Sequence, residues 1–405
     1  MEQQIVQIVT IKNKTPLFKG EEQANAIEKI ELEENGFSLV AQKDLYEIGD
    51  KAVYIQPDYC LSDIPLFESF IRPGGDPKKS KLGSNNRIRA VKFNLHTGDN
   101  EPVYSVGILL PYHEVYDLLP YDGFSYNKEG SLEETNLVEL LGITKWEEPE
   151  PTIPGGKQSG GRNFPENVYK TDETNINNLW NHLENKIGYP CVLIGSVKVD
   201  GSSISIFCDE VSDEYAVGSR NLIKPEKINK TVGYRQPTLW ERLKKFFTGY
   251  MPDLRIRELV ENDDKFIQLA KPYIEAIRSK SASLGMPMSK FILRGEAYGA
   301  GWKGSGNKNN PHSKLEPGIL FFGVDGYDQN NVAYKLDDDW FRSYMDFLGF
   351  ESTPVVFDKI FYSREEIERE CKEYFKNNMV EGIVLRTPDS KFSAKFMNDE
   401  YDSKK

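Results

Sequence analysis

Five short stretches of this chain place chemically capable side chains beside turn residues: KVDGS at 198–202, SRN at 219–221, RGEAYG at 294–299, FFGVD at 321–325 and EGIVLR at 381–386, with SAKF following at 393–396. The first poses the sharpest question. Lys198 lies inside the apolar run GSVKVDGSSISIF, 195–207, where a buried ammonium is costly unless it is paired or put to work. Taken singly, each stretch has a plainer reading. Lys-x-Asp-Gly is most often a hairpin turn in which Asp-Gly supplies the residue at positive φ. Glu296 or Glu381 alone would more often be an exposed carboxylate at a strand end than a ligand.

The elements that must hold these residues follow from hydrophobic pattern. Strand-like segments at 191–197, 203–208, 291–297, 319–325 and 382–386 alternate with helical ones near 174–186, 237–247, 254–280, 338–348 and 364–377. This is an α+β domain whose strands carry the polar motifs. The first hundred or so residues differ, with short β-type runs between Gly, Asp and Pro: QIVQIVTI, FSLVAQ, IGDKAVYIQPDYCL, RIRAVKF and YSVGILLP, the pattern of a small antiparallel barrel. A helix is expected over 128–143, and EEPEPTIPGGKQSGGRNFP then marks a boundary. The expected organisation is a barrel module at 1–150, a linker at 151–163 and the α+β domain at 164–405.

Composition narrows the class. Hydrophobic residues at 39% and charged residues at 28% describe a globular protein without a compositional pull to disorder. Cys60, Cys191, Cys208 and Cys371 lie far apart with no Cys-x-x-Cys pair, so reduced thiols in an intracellular, cytoplasm-like compartment are expected. No apolar run approaches the ~18 residues of a membrane span, and the start lacks a signal-peptide pattern. The net charge of −12 argues against a simple polycationic DNA coat. Its distribution is uneven, however. Residues 224–245 carry seven basic side chains against two acidic ones, and GWKGSGNKNNPHSK, 301–314, has three lysines and no acid. Solvated surfaces explain both, and a polyanion groove explains both if chemistry points there too.

Together and in this order, the six stretches resemble the lysine nucleotidyltransferases, the covalent superfamily of ATP-dependent ligases and mRNA capping enzymes. The resemblance implies that Lys198 is the nucleophile that attacks the α-phosphorus of a nucleoside triphosphate. Its reactive form is the free amine, which burial and a nearby divalent cation would both favour. Asp200, Glu296 and Glu381 would surround that cation, Mg²⁺ or Mn²⁺, directly or through water. Glu296 would also reach the ribose. Arg220, with Asn221 beside it, and Lys395 would meet phosphate charge. The base would lie between Phe322 and Val324, assigned to one face by strand alternation, and Ile383 or Val384.

Within the superfamily, Ser203 stands where DNA ligases and capping enzymes commonly have arginine. The SRN stretch and FPENVYKTDETNINNLW, 164–180, resemble RNA ligases, and the N-terminal YEIGDKAVYIQPDYCL and RIRAVKFNLHTGDNEPVYSVGILLPY resemble the OB-fold module of one branch, the Deinococcus/Naegleria type. Two departures stand out: Ser393 where a lysine is frequent, and Val324 where an aromatic is frequent. Few residues follow Lys395, so a C-terminal OB domain like that of DNA ligases is not expected.

The resemblance thus implies an ATP-dependent RNA ligase, monomeric, joining 3′-OH to 5′-phosphate ends, with nicks in duplex RNA as the expected substrate. A GTP-dependent capping guanylyltransferase and a non-catalytic RNA binder are the alternatives. A chain beginning near Arg162 retains every motif and is expected on sequence alone to form the lysyl adduct, the module serving to hold RNA.

Overall fold

The computed structural model describes residues 5–98, 101–121, 130–146, 162–210, 212–224, 227–250, 252–284 and 290–401. Its N-terminal part is built on one long strand. Val6–Lys19 pairs with Glu22–Leu32 from Ile11 to Lys19 and with Lys51–Ile55 from Val6 to Thr10, giving a five-stranded antiparallel sheet closed by Ser38–Gln42 on one edge and Ile108–Pro111 on the other. The edges curl together: the Val106 N–H donates to the Ser38 carbonyl and the Val40 N–H to Ser105 Oγ. Val9, Ile11, Ile30, Leu39 and Tyr54 fill one side of this OB-like barrel, and Val53, Ile55, Phe67, Leu110 and Leu141 the other. The Glu22–Leu32 strand was not expected from sequence, because EQANAIEKIEL shows apolar alternation only in its second half. Of the helix expected over 128–143, the described part is two short turns, Leu132–Glu134 and Leu137–Leu140. Most of the expected domain boundary lies outside the described residues.

The second part holds two antiparallel sheets. One has four strands in the order Val355–Phe361, Cys191–Lys198, Gly382–Arg386, Ser393–Met397; the other has seven, with Ser202–Asp209, Lys290–Tyr298 and Gly318–Tyr327 at its centre. Each sheet buries one face under helices. Leu193, Ile383, Leu385, Phe357 and Phe361 pack with Ile367 and Cys371 of the Arg364–Asn377 helix. Ile206, Leu293, Ile319 and Phe321 pack with Ile277 of the Lys265–Leu284 helix and Phe341 and Met345 of Asp338–Leu348. The expected helix over 254–280 is half correct. Arg255–Glu261 is a strand because it pairs with Lys227–Tyr234, and the helix begins at Lys265.

Candidate active site

Lys198 is the last residue of its strand, and the next strand, Ser202–Asp209, belongs to the other sheet. The hairpin reading of Lys-x-Asp-Gly therefore fails. The turn instead carries the chain from one sheet to the other. Gly201 is required there by close approach: a Cβ would lie 2.4 Å from the Ala297 carbonyl oxygen and 2.9 Å from Glu296 Cγ. The small turn thus brings Lys198 of one sheet beside Glu296 of the other.

Pairing fixes which side chains share the Lys198 face. Lys198 lies opposite Gly382, and Ser196 opposite Val384, which lies opposite Lys395. Val384 and Lys395 therefore stand on the Lys198 side, while on the other side Val197 is buried and Ile383 packs in the core. Of the alternatives Ile383 and Val384, only Val384 can meet a ligand beside Lys198. The expectation for Phe322 and Val324 needs correction. Register shifts by one residue between the pairs Gly295–Phe321 and Arg294–Gly323, a bulge at Phe322. The bulge resets alternation, so Val324, 1% exposed, joins Ile319 and Phe321 in the core. Phe322 stays half-buried at a cleft lined also by Tyr169, Thr171, Glu173 and Arg386, with the Arg386 guanidinium 5.7 Å from its ring centre.

Charge is concentrated at the sheet junction. Lys198 Nζ donates to Glu381 Oε2 at 2.5 Å. Burial alone would lower the Lys198 pKa, but Glu381, Glu296 and Asp200 more than offset it, and the net direction is upward. The ammonium, not the free amine expected from burial, is the resting form. Glu296 moves the other way: burial, with Glu381 and Asp200 nearby, pushes its carboxyl up to about 8 against the pull of Lys198 and Lys303. Asp200 accepts from the Tyr401 hydroxyl at 2.9 Å, and its backbone carbonyl accepts from Asn310 Nδ2 at 2.9 Å. The lysine-rich 301–314 loop thus braces the turn through Asn310.

A second ring of charge lies beside the first. Lys395 is held below its ordinary pKa by burial and by the Lys198 ammonium. Asp58, from the barrel, faces both lysines: burial raises its pKa, but Arg87, Lys395 and Lys198 bring it below the ordinary value. Arg87 donates to Asp58 at 3.1 and 2.6 Å and lies 3.9 Å over the Trp146 ring. Arg220 and Lys145 both donate to Asp172, at 2.6 and 2.9 Å. Arg220 Nε is buried without a hydrogen-bond partner, a donor left for an incoming acceptor. Asn221 instead accepts from Lys170 at 2.8 Å, turned to a neighbouring side chain. Arg294 and Asp325 form a buried pair at 2.5 Å that ties the RGEAYG strand to the FFGVD strand, a structural role.

Sequence reasoning missed Asp58, Arg87, Asp172, Asn310 and Tyr401. Asp58, Arg87 and Asp172 all lie inside stretches that carried the family resemblance, but nothing local marks them as members of the charged ring.

The acidic set tests whether a cation fits. Among the described residues no three His, Cys, Asp or Glu side chains are placed to hold a bare ion, so the set suits one that keeps several waters. Glu296 makes the cost of the cation-free state measurable. Its folded pKa of about 8 lies above the ordinary 4.5, so the folded form binds the extra proton between those values. Stability in chelator should therefore fall as pH rises through that window, by at most about 1.4 kcal/mol per pH unit. Glu296→Gln should flatten the fall in urea midpoints between about pH 5 and 8, and an unchanged slope would place the titration elsewhere.

Comparison with known proteins bears on this geometry. Residues 192–397 match the sequence model of the RNA ligase family. No curated protein sequence matches the chain. Among solved structures, the fold is similar to Naegleria gruberi RNA ligase. A lysine-to-alanine mutant of that enzyme with ATP and Mn has a TM-score of 0.63 at 20% identity, covering 98% of this chain and 96% of that one. The same enzyme with PPi has a TM-score of 0.65 at 20% identity, covering 98% of both chains.

Proposed function

Because the chain belongs to the RNA ligase family, we propose that it seals 3′-OH and 5′-phosphate RNA ends with ATP, at nicks in duplex RNA. The observation that carries this reading is Lys198 at the junction of two sheets, paired with Glu381 and facing Glu296, Asp200 and Lys395. In the first step the Lys198 amine attacks the α-phosphorus of ATP, the bond to pyrophosphate breaks, and a lysyl-AMP adduct remains. In the second, a 5′-phosphate oxygen of RNA attacks that phosphorus and frees Lys198. In the third, the RNA 3′-OH attacks the activated 5′-phosphorus, and AMP leaves.

The chain's own groups divide the work. Glu381 orients the amine and takes its proton. Val384 and Phe322 border the base, and Glu296 has the reach for the ribose. Lys395 and Arg220, with its orphaned Nε, meet the triphosphate as pyrophosphate departs. Asp200, Glu296 and Glu381 would hold Mg²⁺ or Mn²⁺ largely through water, supplying charge neutralisation at the phosphates and favouring the free amine. The Naegleria structures with ATP and Mn and with PPi support this assignment of reactants.

The test is incubation with α-labelled ATP or GTP and Mg²⁺, followed by a nicked RNA duplex on a denaturing gel. Labelling by ATP and not GTP, with a sealed product, is expected. Labelling by GTP would favour a capping guanylyltransferase, and no labelling by either would favour a non-catalytic RNA binder.

A further inference from the structure

Between the Arg220 turn and the Lys265–Leu284 helix the chain leaves the body of the fold. Strands Lys227–Tyr234 and Arg255–Glu261 pair only with each other and carry the Leu239–Thr248 helix between them. This helix is stabilised at its ends. Thr238 and Glu241 form a capping box, Arg235 donates to Glu241 at 2.7 and 2.5 Å, and Gly249 closes the helix at φ 69°. The root is anchored to the body by the nearly buried pair of Lys224 and Asp264 at 3.3 Å.

The arm displays what a soluble surface normally hides. Nine of the twenty-one exposed large apolar side chains among the described residues lie between Val232 and Leu259. Trp240, Phe246 and Phe247 are 82%, 83% and 78% exposed. At 100° per residue they share one helix face, and Arg242 and Lys244 flank it on opposite edges. Residues 227–261 hold eight basic side chains against four acidic ones, in a chain whose total charge is −12. Flat rings bordered by cations fit bases and phosphates together.

We propose that this arm is a second RNA-binding element, its aromatic face stacking on unpaired bases next to the junction while Arg242 and Lys244 meet the adjoining phosphates. The proposal rests on the RNA-ligase reading for its partner. Charge selects RNA over a second copy of the chain, since two such arms would repel. The root selects it over a lipid surface, because the arm grows from the Leu222–Lys224 strand directly after Arg220, whose guanidinium belongs to the charged site.

The experiment measures binding of the full chain to a fluorescent RNA duplex with a single-stranded flank, and to the same duplex without it. W240A/F246A/F247A should weaken binding to the flanked RNA by roughly tenfold or more and change the blunt duplex less. R242A/K244A should reduce the slope of log K against log salt by about 1.4, two single-strand phosphates' worth. ATP labelling of Lys198, which needs no RNA, reports that each variant is folded. Unchanged RNA affinity in both variants overturns the proposal. So does unchanged RNA affinity with lost binding to phosphatidylserine vesicles, or with an altered molar mass by light scattering. If the wild type neither labels with ATP nor joins RNA, the catalytic reading fails, while an arm effect on RNA affinity still supports the arm.

Discussion

Lys198→Ala is expected to abolish the covalent nucleotide adduct, with a loss of at least about a thousandfold, since attack by a positioned amine replaces an otherwise bimolecular encounter. Lys395, a second lysine beside the site, cannot substitute. It sits on the outer strand of the four-stranded sheet, two strands from Lys198, and has no carboxylate partner within hydrogen-bond distance among the described residues. The same variant should still join RNA whose 5′ end already carries AMP, because that step needs the carboxylates and Lys395 but no nucleophilic lysine. Label on the variant at the wild-type level, after denaturation and gel separation, would remove Lys198 from the mechanism. Loss of both activities in a protein with native circular dichroism would mean that Lys198 also positions RNA-adenylate.

What could be read in the sequence depended on whether a feature is local. The strands that bear Lys198 and Glu296 and the one that Glu381 precedes were legible because each is an apolar run bounded by a turn signal, and the structure places them at 191–198, 290–298 and 382–386. The face assignments were less secure. Ile383 and Val384 differ only in parity, which pairing with Lys395 decides. At Phe322 one bulged residue is enough to turn Val324 into the core, and no local signal announces a bulge in a run of apolar side chains. The 254–280 segment misled for a related reason. RIRELVE has helical spacing, but Lys227–Tyr234 offers it a complete ladder.

Long-range electrostatics were the least legible part. Lys198 was expected to favour its free amine through burial and a nearby divalent cation, and neither reveals a carboxylate held against Nζ. The structure adds Glu381 at 2.5 Å, separated by 183 residues, and the balance reverses. Asp58 extends the point across the domain boundary. It comes from the barrel, yet its carboxylate is a counter-charge to both Lys395 and Lys198. A chain beginning near Arg162 would keep every motif and lose that counter-charge.

Glu381→Gln is expected to produce the second largest loss, about a hundredfold or more in adduct formation, and to do so through two opposed effects. Removing the carboxylate removes the largest influence holding the Lys198 ammonium above its ordinary pKa, which by itself makes the free amine more abundant at neutral pH. It also removes the acceptor 2.5 Å from Nζ that orients the amine and receives its proton, a contribution of ~10²–10⁴ in general acid–base catalysis. Orientation outweighs abundance. At pH 7 even an unshifted lysine is amine only to about four parts in ten thousand, so the gain is bounded by how far the pKa falls. The two effects separate in a pH profile. Adduct formation by the wild type should climb with pH across 7 to 9, because the raised Lys198 pKa leaves deprotonation incomplete throughout. In the glutamine variant the climb should begin at lower pH, on a smaller absolute rate. Parallel profiles would mean that Glu381 does not govern the Lys198 proton, and a wild-type rate at pH 7 would reduce the 2.5 Å contact to a structural ion pair.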